Sequence, residues 1–435
     1  MDILTYLQLF ASITHAIILF FLPGLVSYKT YVIFLVALTA LSILVFIIRR
    51  KGKVPIIFGI IFLVYAAVIG LYALVTPAMY PILQESNYMG SLLCLAGQIL
   101  PNGLFACFVA EDEQLQVKVK RLAPLVGTVF AIIALICTLH PTLVTSGGLM
   151  DNENGLDYQR VSYMAAYSAA MMEYYLLTRH TEVHFLFFKN KLGLVVSGIV
   201  IFLDLLVTLI SGGRGGFVTF IVFFIISIFL AYRFGLYQNY KVLRVLLVGL
   251  IALIGVYAAN WFVLKSSVST SGYGRIISMI KGAGDIRRLA KIETAIDTFI
   301  QKPIWGHGFG SVYLEFGQYT HNFFTDILVE GGLVLTIIAI LFLFYCFVSS
   351  IRLIRLDNSD LIWFYFFLCG FTLSMFSGYY LTQIPLWWGL SFVVAKNFWI
   401  RKNAGVEKAE SDSNTENIVQ DSFDNVDNAE SDNNG

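Results

Sequence analysis

Long apolar runs separated by short polar breaks fill most of this chain, and they have the length of membrane-spanning helices rather than of soluble core segments. They cover roughly 3–22, 30–48, 54–75, 89–110, 122–144, 161–178, 192–210, 216–232, 245–262, 324–350, 361–377 and 384–400, about twelve in all. Roughly 17 to 25 apolar residues are enough for a helix to cross the hydrocarbon core of a bilayer. Apolar and polar residues do not alternate one by one, which excludes a transmembrane barrel. The pattern therefore predicts an all-α polytopic membrane protein with about twelve transmembrane helices. Met1–Leu22 has no basic leader and no small-residue cleavage site, so the first run is expected to stay in the protein.

One long polar stretch, Val263–Thr320, breaks the series. Within it, Asp285–Gln301 places Ile286, Leu289, Ile292, Ile296 and Phe299 at helical spacing, which predicts an amphipathic helix lying at the membrane interface. Lys302 and Pro303 end it, and Gly306, Gly308 and Gly310 then read as a flexible turn near the membrane. After Lys402 the chain turns to Asn, Asp, Glu and Ser, too poor in apolar groups to offset the entropy of ordering. The expected organisation is transmembrane helices 1–9 over 1–262, one large extracytoplasmic loop over 263–323, helices 10–12 over 324–402, and a disordered cytoplasmic tail over 403–435.

Composition sharpens this. Hydrophobic residues make up 58% and charged residues 13%, where soluble domains carry about 25% charged residues. Most Lys and Arg, among them Arg49, Lys118, Lys120, Arg121, Arg233, Arg352, Arg355 and Arg401, fall on one set of alternate loops, while the opposite short loops hold Lys29, Arg160 and Arg214. The rule that positive charge stays inside puts both termini in the cytoplasm and the long loop outside. A formal net charge of +1 gives no reason to expect a nucleic-acid partner. The five cysteines, Cys94, Cys107, Cys137, Cys346 and Cys369, lie in apolar runs without metal-knuckle spacing and read as small buried hydrophobes.

Candidate chemistry gathers on the outer side. Ser211–Gly216, SGGRGG, holds Arg214 in a tight bend, where Gly213 and Gly215 let backbone approach an anion and the amides of the next helix add positive potential. An interfacial arginine snorkelling from a glycine turn accounts for the same residues, and both readings stand. Arg287, Arg288 and Lys291 form a cationic face on the loop helix, suited to phosphate or to lipid headgroups. Asn322, Asp326 and Glu330 recur every four residues, with His321 at the N-terminal end of their stripe. Thr320, His321 and Asn322 are expected to satisfy the free amides of the helix start, with Asp326 facing external water. Glu330 lies deeper, before Gly331 and Gly332, and calls for a cationic partner. His307, inside GHGFG, is a second candidate imidazole. Glu173 and Asp204 fall within apolar runs and read equally as packed polar groups or as functional ones.

The arginine in a small-residue bend between two spans, the large outer loop with its arginine-bearing helix, and the segments PIWGHGFG and THNFFTDILVEGG resemble the O-antigen ligase and O-antigen polymerase superfamily. The resemblance covers roughly Leu192–Ser350 together with the twelve-span layout. It implies a glycosyltransferase of a bacterial inner membrane that takes a polyprenyl pyrophosphate-linked glycan as donor and a second glycan as acceptor, on the outer face. Arg214 corresponds to the family's bend arginine, Arg287 or Arg288 to its loop arginine and His321 to its His-Asn histidine. The resemblance implies no cofactor and no metal, a lipid bilayer around the protein, and flippase and chain-length regulator proteins as partners. On this basis the candidate catalytic residues are His321, Arg214 and Arg288, and the candidate substrate-binding residues are Arg287, Lys291, Asn322, Glu330, Gly213 and Gly215. A repeat-unit polymerase for O-antigen, capsule or exopolysaccharide is the first reading and a ligase to lipid A core or protein the second. A transporter or flippase for lipid-linked glycan is the alternative from another class; it would spread polar residues through many spans.

Overall fold

The computed structural model describes residues 2–22, 26–49, 102–139, 144–145, 156–178, 191–211, 213–235, 286–308, 310–312 and 319–403, with isolated positions at 99 and 249. The expected runs 54–75 and 245–262, most of 89–110, Cys94, the loop residues Arg275 and Lys281, and the tail after 403 lie outside them. Among the described residues the architecture is helical, apart from a two-residue parallel bridge pairing β1 (Val144–Thr145) with β2 (Leu156–Asp157). The helices are α1 (Asp2–Leu9), α2 (Ala11–Phe21), α3 (Tyr28–Arg49), α4 (Asn102–Glu111), α5 (Glu113–Leu139), α6 (Tyr158–Thr178), α7 (Lys191–Ile210), α8 (Arg214–Phe234), α9 (Ile286–Gln301), α10 (Phe323–Leu356), α11 (Leu361–Phe376) and α12 (384–403). The first apolar run is thus two helices, interrupted at Phe10.

Six of the described helices are long and apolar enough to cross a membrane: α3, α5, α7, α8, α10, and α11 with the short turn before it. The protein is a polytopic membrane protein. Its outer surfaces carry large exposed apolar side chains, such as Ile225 and Phe229 on α8 and Ile337, Leu341 and Phe344 on α10, which suits contact with lipid.

The helix at the centre is less apolar than the helices packed around it. Every residue of α6 from Val161 to Thr178 is buried, and α6 packs against α5, α7, α8 and α11. A helix enclosed by protein has no need of an apolar surface on all sides, but it does need close neighbours. Small residues supply them: Ser162, Ala165, Ala166, Ser168, Ala169 and Ala170 leave room for backbone approach, as small residues do between membrane helices. Opposite them, a Cβ on Gly127 of α5 would stand 3.2 Å from the Ser168 carbonyl oxygen, and Ser168 Oγ donates to the Gly127 carbonyl at 2.8 Å.

α10 is two helices joined at Gly332, whose φ of 61° and ψ of −160° break the spiral. Leu333–Leu356 is about 36 Å long at 1.5 Å per residue, enough to span the core alone, so Phe323–Gly331 forms a separate short helix before the span. The broken backbone is satisfied by the segment before it: His307 N–H donates to the Val329 carbonyl and Gly308 N–H to that of Glu330, both at 2.8 Å. In return Leu333 N–H donates to Pro303 O at 2.8 Å and Val334 N–H to Ile304 O at 3.2 Å. Irregular backbone near hydrocarbon is tolerated when protein pairs it in this way.

The far end of α10 is fastened by charge. Lys120 Nζ lies 2.7 Å from Asp360 Oδ1 and 3.0 Å from Asp357 Oδ2, and Lys396 Nζ lies 2.7 Å from Asp360 Oδ2. Asp360 is buried and also accepts from Trp363 Nε1 at 3.1 Å, so α5, α11 and α12 share one ion network at that end.

Candidate functional site

At the opposite end the short helix of α10 carries the polar stripe inward. Glu330 is buried, 1% exposed, and three donors converge on its carboxyl. Oε1 accepts from Gly310 N–H at 2.9 Å and from Tyr379 Oη at 2.5 Å, and Oε2 accepts from Tyr380 Oη at 2.6 Å. The expected cationic partner is replaced, among the described residues, by two phenols and an amide. The Gly306–Gly310 turn is likewise bound rather than free. Its three glycines all have positive φ, 68°, 97° and 79°, and a Cβ on Gly306 would fall 2.5 Å from the Glu330 carbonyl carbon. Only glycine lets this turn lie against the helix break.

The segment Thr320–Asp326 divides its hydrogen bonds differently from the expectation. Asn322 alone caps the helix by its side chain, with Oδ1 accepting from Phe324 N–H at 3.0 Å and Thr325 N–H at 3.2 Å. Thr320 turns instead to Asp326, donating its N–H at 2.8 Å and its Oγ–H at 2.7 Å to Oδ1. Asp326 is thus fully buried, not facing water, because Thr320 folds back over it. His321, between the two anchored residues, takes φ of 65°, and its half-buried ring meets that of Tyr319 edge-on at 4.4 Å.

The glycine bend arrives at the same end. α8 begins at Arg214 with Gly213 as its N-cap and no side-chain cap, and Ser162 Oγ donates to the Gly213 carbonyl at 2.8 Å. The nearest described neighbours of the glycines belong to α6: a Cβ would stand 2.5 Å from Ser162 Cβ at Gly213, 2.0 Å from Tyr163 Oη at Gly215, where Ser377 Oγ would follow at 3.0 Å, and 2.5 Å from Ser162 backbone at Gly216. The bend therefore presses directly on the central helix. From there a relay of contacts leads to the histidine. Tyr163 Oη donates to Ser377 Oγ at 2.9 Å, the Ser377 carbonyl accepts from Tyr319 Oη at 2.7 Å, and the Tyr319 ring touches His321 and stacks near Tyr379. The backbone beside Arg214 and the His321 turn thus share one polar patch with Glu330. The side chain of Arg214 lies outside the described part of the structure.

The loop helix is observed as α9, over the expected residues, and it packs on α10. Ala295 contacts Val312 and Val329, and His307 Nε2 pairs with the Thr298 carbonyl at 2.8 Å. This places His307 as a strut between α9 and the glycine turn. Lys291 lies one turn before Ala295, half-buried, and Arg287 and Arg288 stand one turn earlier still, with side chains outside the description. Glu173 accepts from Ser227 Oγ at 2.5 Å within the bundle core, and Asp204 is fully buried on α7; neither belongs to the patch at the α10 start. Cys137, Cys346 and Cys369 are buried thiols and Cys107 is half-buried.

Tyr163, Tyr319, Ser377, Tyr379 and Tyr380 were not singled out from the sequence. A signal was present for the last three: Ser377–Gly378–Tyr379–Tyr380 is a short connection between two spans on the same side as the His321 turn. Adjacent phenols at a membrane boundary offer hydroxyls to whatever carboxyl lies deeper there.

A bundle of apolar helices long enough to span a membrane thus gathers a polar, tyrosine-walled patch at one end, around a glycine bend and a histidine turn. Residues 199–340 match the O-antigen ligase family, and the chain carries a domain of that family. The match takes in the bend, α9 and the His321–Glu330 stripe, while Tyr163 and the Ser377–Tyr380 connection lie outside it. No curated protein and no solved structure matches the chain.

Proposed function

We propose that the protein joins a polyprenyl pyrophosphate-linked oligosaccharide to an acceptor glycan at the outer face of the cytoplasmic membrane of a bacterium. In this reading the chain has the twelve-span layout, with both termini cytoplasmic and the patch of Arg214, His321 and Glu330 facing outward. The acceptor hydroxyl attacks the anomeric carbon of the donor sugar, the bond from that carbon to the pyrophosphate oxygen breaks, and the pyrophosphate leaves with the electron pair. His321 orients the hydroxyl or takes its proton. Arg214 and Arg288 hold the departing pyrophosphate, helped by Arg287 and Lys291, because a planar guanidinium pairs with two phosphate oxygens and keeps its charge. A donor aimed at developing charge is worth about 10² to 10³ in rate and a positioned base about 10² to 10⁴. The scheme assigns no step to a metal.

The observation that carries the reading is the relay from Gly215 through Tyr163, Ser377 and Tyr319 to His321, which joins an uncapped helix start with an arginine at its first position to an imidazole. Free amides at a helix start favour an anion. A repeat-unit polymerase is the reading taken first, since donor and acceptor are then one class of lipid-linked substrate; the ligase reading is favoured by the description of the matched family. Transport ranks below both, because between the patch at the α10 start and the ion network at its far end the buried carboxyls among the described residues are few, Glu173 and Asp204.

The test is to replace Arg214→Lys, Arg288→Ala and His321→Ala in cells and follow lipid-linked glycan. Flipped donor accumulating unjoined on the outer face is the expected result. Donor retained on the cytoplasmic side in these strains would assign transport instead. Single repeats on the final acceptor identify a polymerase, and long lipid-linked chains with no acceptor identify a ligase.

A further inference from the structure

We propose that Asp326 is a positioning residue for His321, acting through Thr320. The proposal rests on the transferase reading above and extends it to a residue that reading does not use. His321 is the one non-glycine residue with positive φ among the described residues, at 65°. A side chain with a Cβ is disfavoured in this left-handed region, so the surrounding structure must hold it there.

Two anchors do so. On one side Thr320 gives both its N–H and its Oγ–H to Asp326 Oδ1, at 2.8 and 2.7 Å. On the other, Asn322 caps Phe324 and Thr325 through its side chain, and its carbonyl accepts from Asp326 N–H at 3.0 Å. Asp326 sits in the first turn of the short helix, so both tethers run to one rigid element. The chain must reverse between them, and His321 is the residue left to make the reversal. Its ring is thereby set against Tyr319, which is itself tied to the Ser377 carbonyl.

An ordinary helix cap does not explain Asp326. Asn322 already performs that task, and the Asp326 carboxyl is fully buried with Oδ1 committed to Thr320. Oδ2 has no hydrogen-bond partner among the described residues. Asparagine can therefore replace it, keeping an acceptor for both Thr320 donors, whereas alanine cannot.

The test uses the full-length protein in phospholipid vesicles, with lipid-linked oligosaccharide extracted from cells lacking the gene as donor. Asp326→Ala is expected to lower kcat by about 10²-fold, the scale of a misplaced catalytic group, with KM changed less than about threefold. Asp326→Asn should rescue most of the rate, and Thr320→Val, which keeps the N–H bond alone, should fall between them. Adding Asp326→Ala to His321→Ala should lower the rate no further, because the aspartate acts through the imidazole. His321→Gly should melt higher than His321→Ala, since glycine releases the strain.

Wild-type rate in Asp326→Ala alongside an inactive His321→Ala overturns the positioning role and leaves the transferase reading standing; an active His321→Ala removes both. A folded Asp326→Asn as slow as Asp326→Ala assigns the effect to charge and overturns the tether. Equal melting of His321→Gly and His321→Ala contradicts the strain on which the argument depends. Where Asp326→Ala does not fold, Asp326→Asn and Thr320→Val decide the matter.

Discussion

Replacing Glu330 by alanine removes the group on which three parts of the chain converge. The carboxyl accepts from Gly310 N–H at 2.9 Å, Tyr379 Oη at 2.5 Å and Tyr380 Oη at 2.6 Å, and it is 1% exposed, so water does not readily take its place. Each buried donor left without an acceptor costs about 1 to 3 kcal/mol, while hydrogen bonds measured within membrane proteins average nearer 0.6 kcal/mol. The lower figure applies when both partners can find others, which the buried Gly310 amide, held in a turn of positive φ, cannot readily do. Glu330→Ala should therefore destabilise by about 3 to 5 kcal/mol, against about 1 kcal/mol for Tyr379→Phe or Tyr380→Phe, each of which removes a single donor. The bonds share one acceptor, so a cycle of Glu330→Ala with Tyr379→Phe should show coupling of about 1 kcal/mol, and the second substitution should add little to the first. Equilibrium unfolding in mixed micelles measures the energies, and hydrogen exchange at the Gly310 amide reports the turn directly. Glu330→Ala no more destabilised than Tyr379→Phe, with Gly310 still protected, would refute the reasoning.

Other predictions follow from close packing and charge. Gly332→Ala should destabilise by more than about 2 kcal/mol, because φ is +61° and the new Cβ would lie 2.4 Å from the Ile304 carbonyl oxygen; loss of the unfolding midpoint without a change in slope would register it. Gly216→Ala, with a Cβ 2.5 Å from the backbone of Ser162, should lose about 1 to 3 kcal/mol. Gly198→Ala in α7, with nothing within 4 Å, should gain about 0.5 to 1 kcal/mol; the same melting assay checks both, and equal effects would remove the packing argument. For Asp357, burial pushes the carboxyl up, but the Lys120 ammonium and the Ser359 hydrogen bonds outweigh it and hold the group below its ordinary value. With the folded value depressed, the stability it contributes is present above the unfolded value, about 3.9, and is lost as pH falls through the folded one. Asp357→Asn should accordingly flatten the loss of stability below about pH 4, and an unchanged acid limb would show that the carboxylate carries none of it.

Single-chain periodicity places most of the described helices, because their apolar stripes are local, but it marks neither the break at Phe10 nor the one at Gly332. The loop helix begins within one residue of its expected start, and Lys302 and Pro303 do end it. Tertiary pairing was not legible in the same way. Glu330 reads in the sequence as calling for a cation, since a sequence does not reveal that phenols 49 and 50 residues away reach it. Asp326 looked solvated because its spacing continues a polar stripe; its burial comes from Thr320 folding back, a choice made by local hydrogen bonding. The glycines after Pro303 suggest freedom, whereas positive φ at Gly306 serves a close approach to Glu330 and Gly331. The Phe10 interruption had no Gly or Pro to mark it.

In the proposed function the Gly213–Arg214 bend binds the pyrophosphate while His321 serves the acceptor, two tasks at one patch. Donor binding and transfer measured side by side on the reconstituted protein separate them. Arg214→Gln should weaken binding of the polyprenyl pyrophosphate-linked glycan at least tenfold, and His321→Ala should bind it as the wild type does yet transfer nothing. Unchanged donor affinity in Arg214→Gln, or full transfer by His321→Ala, would contradict the account.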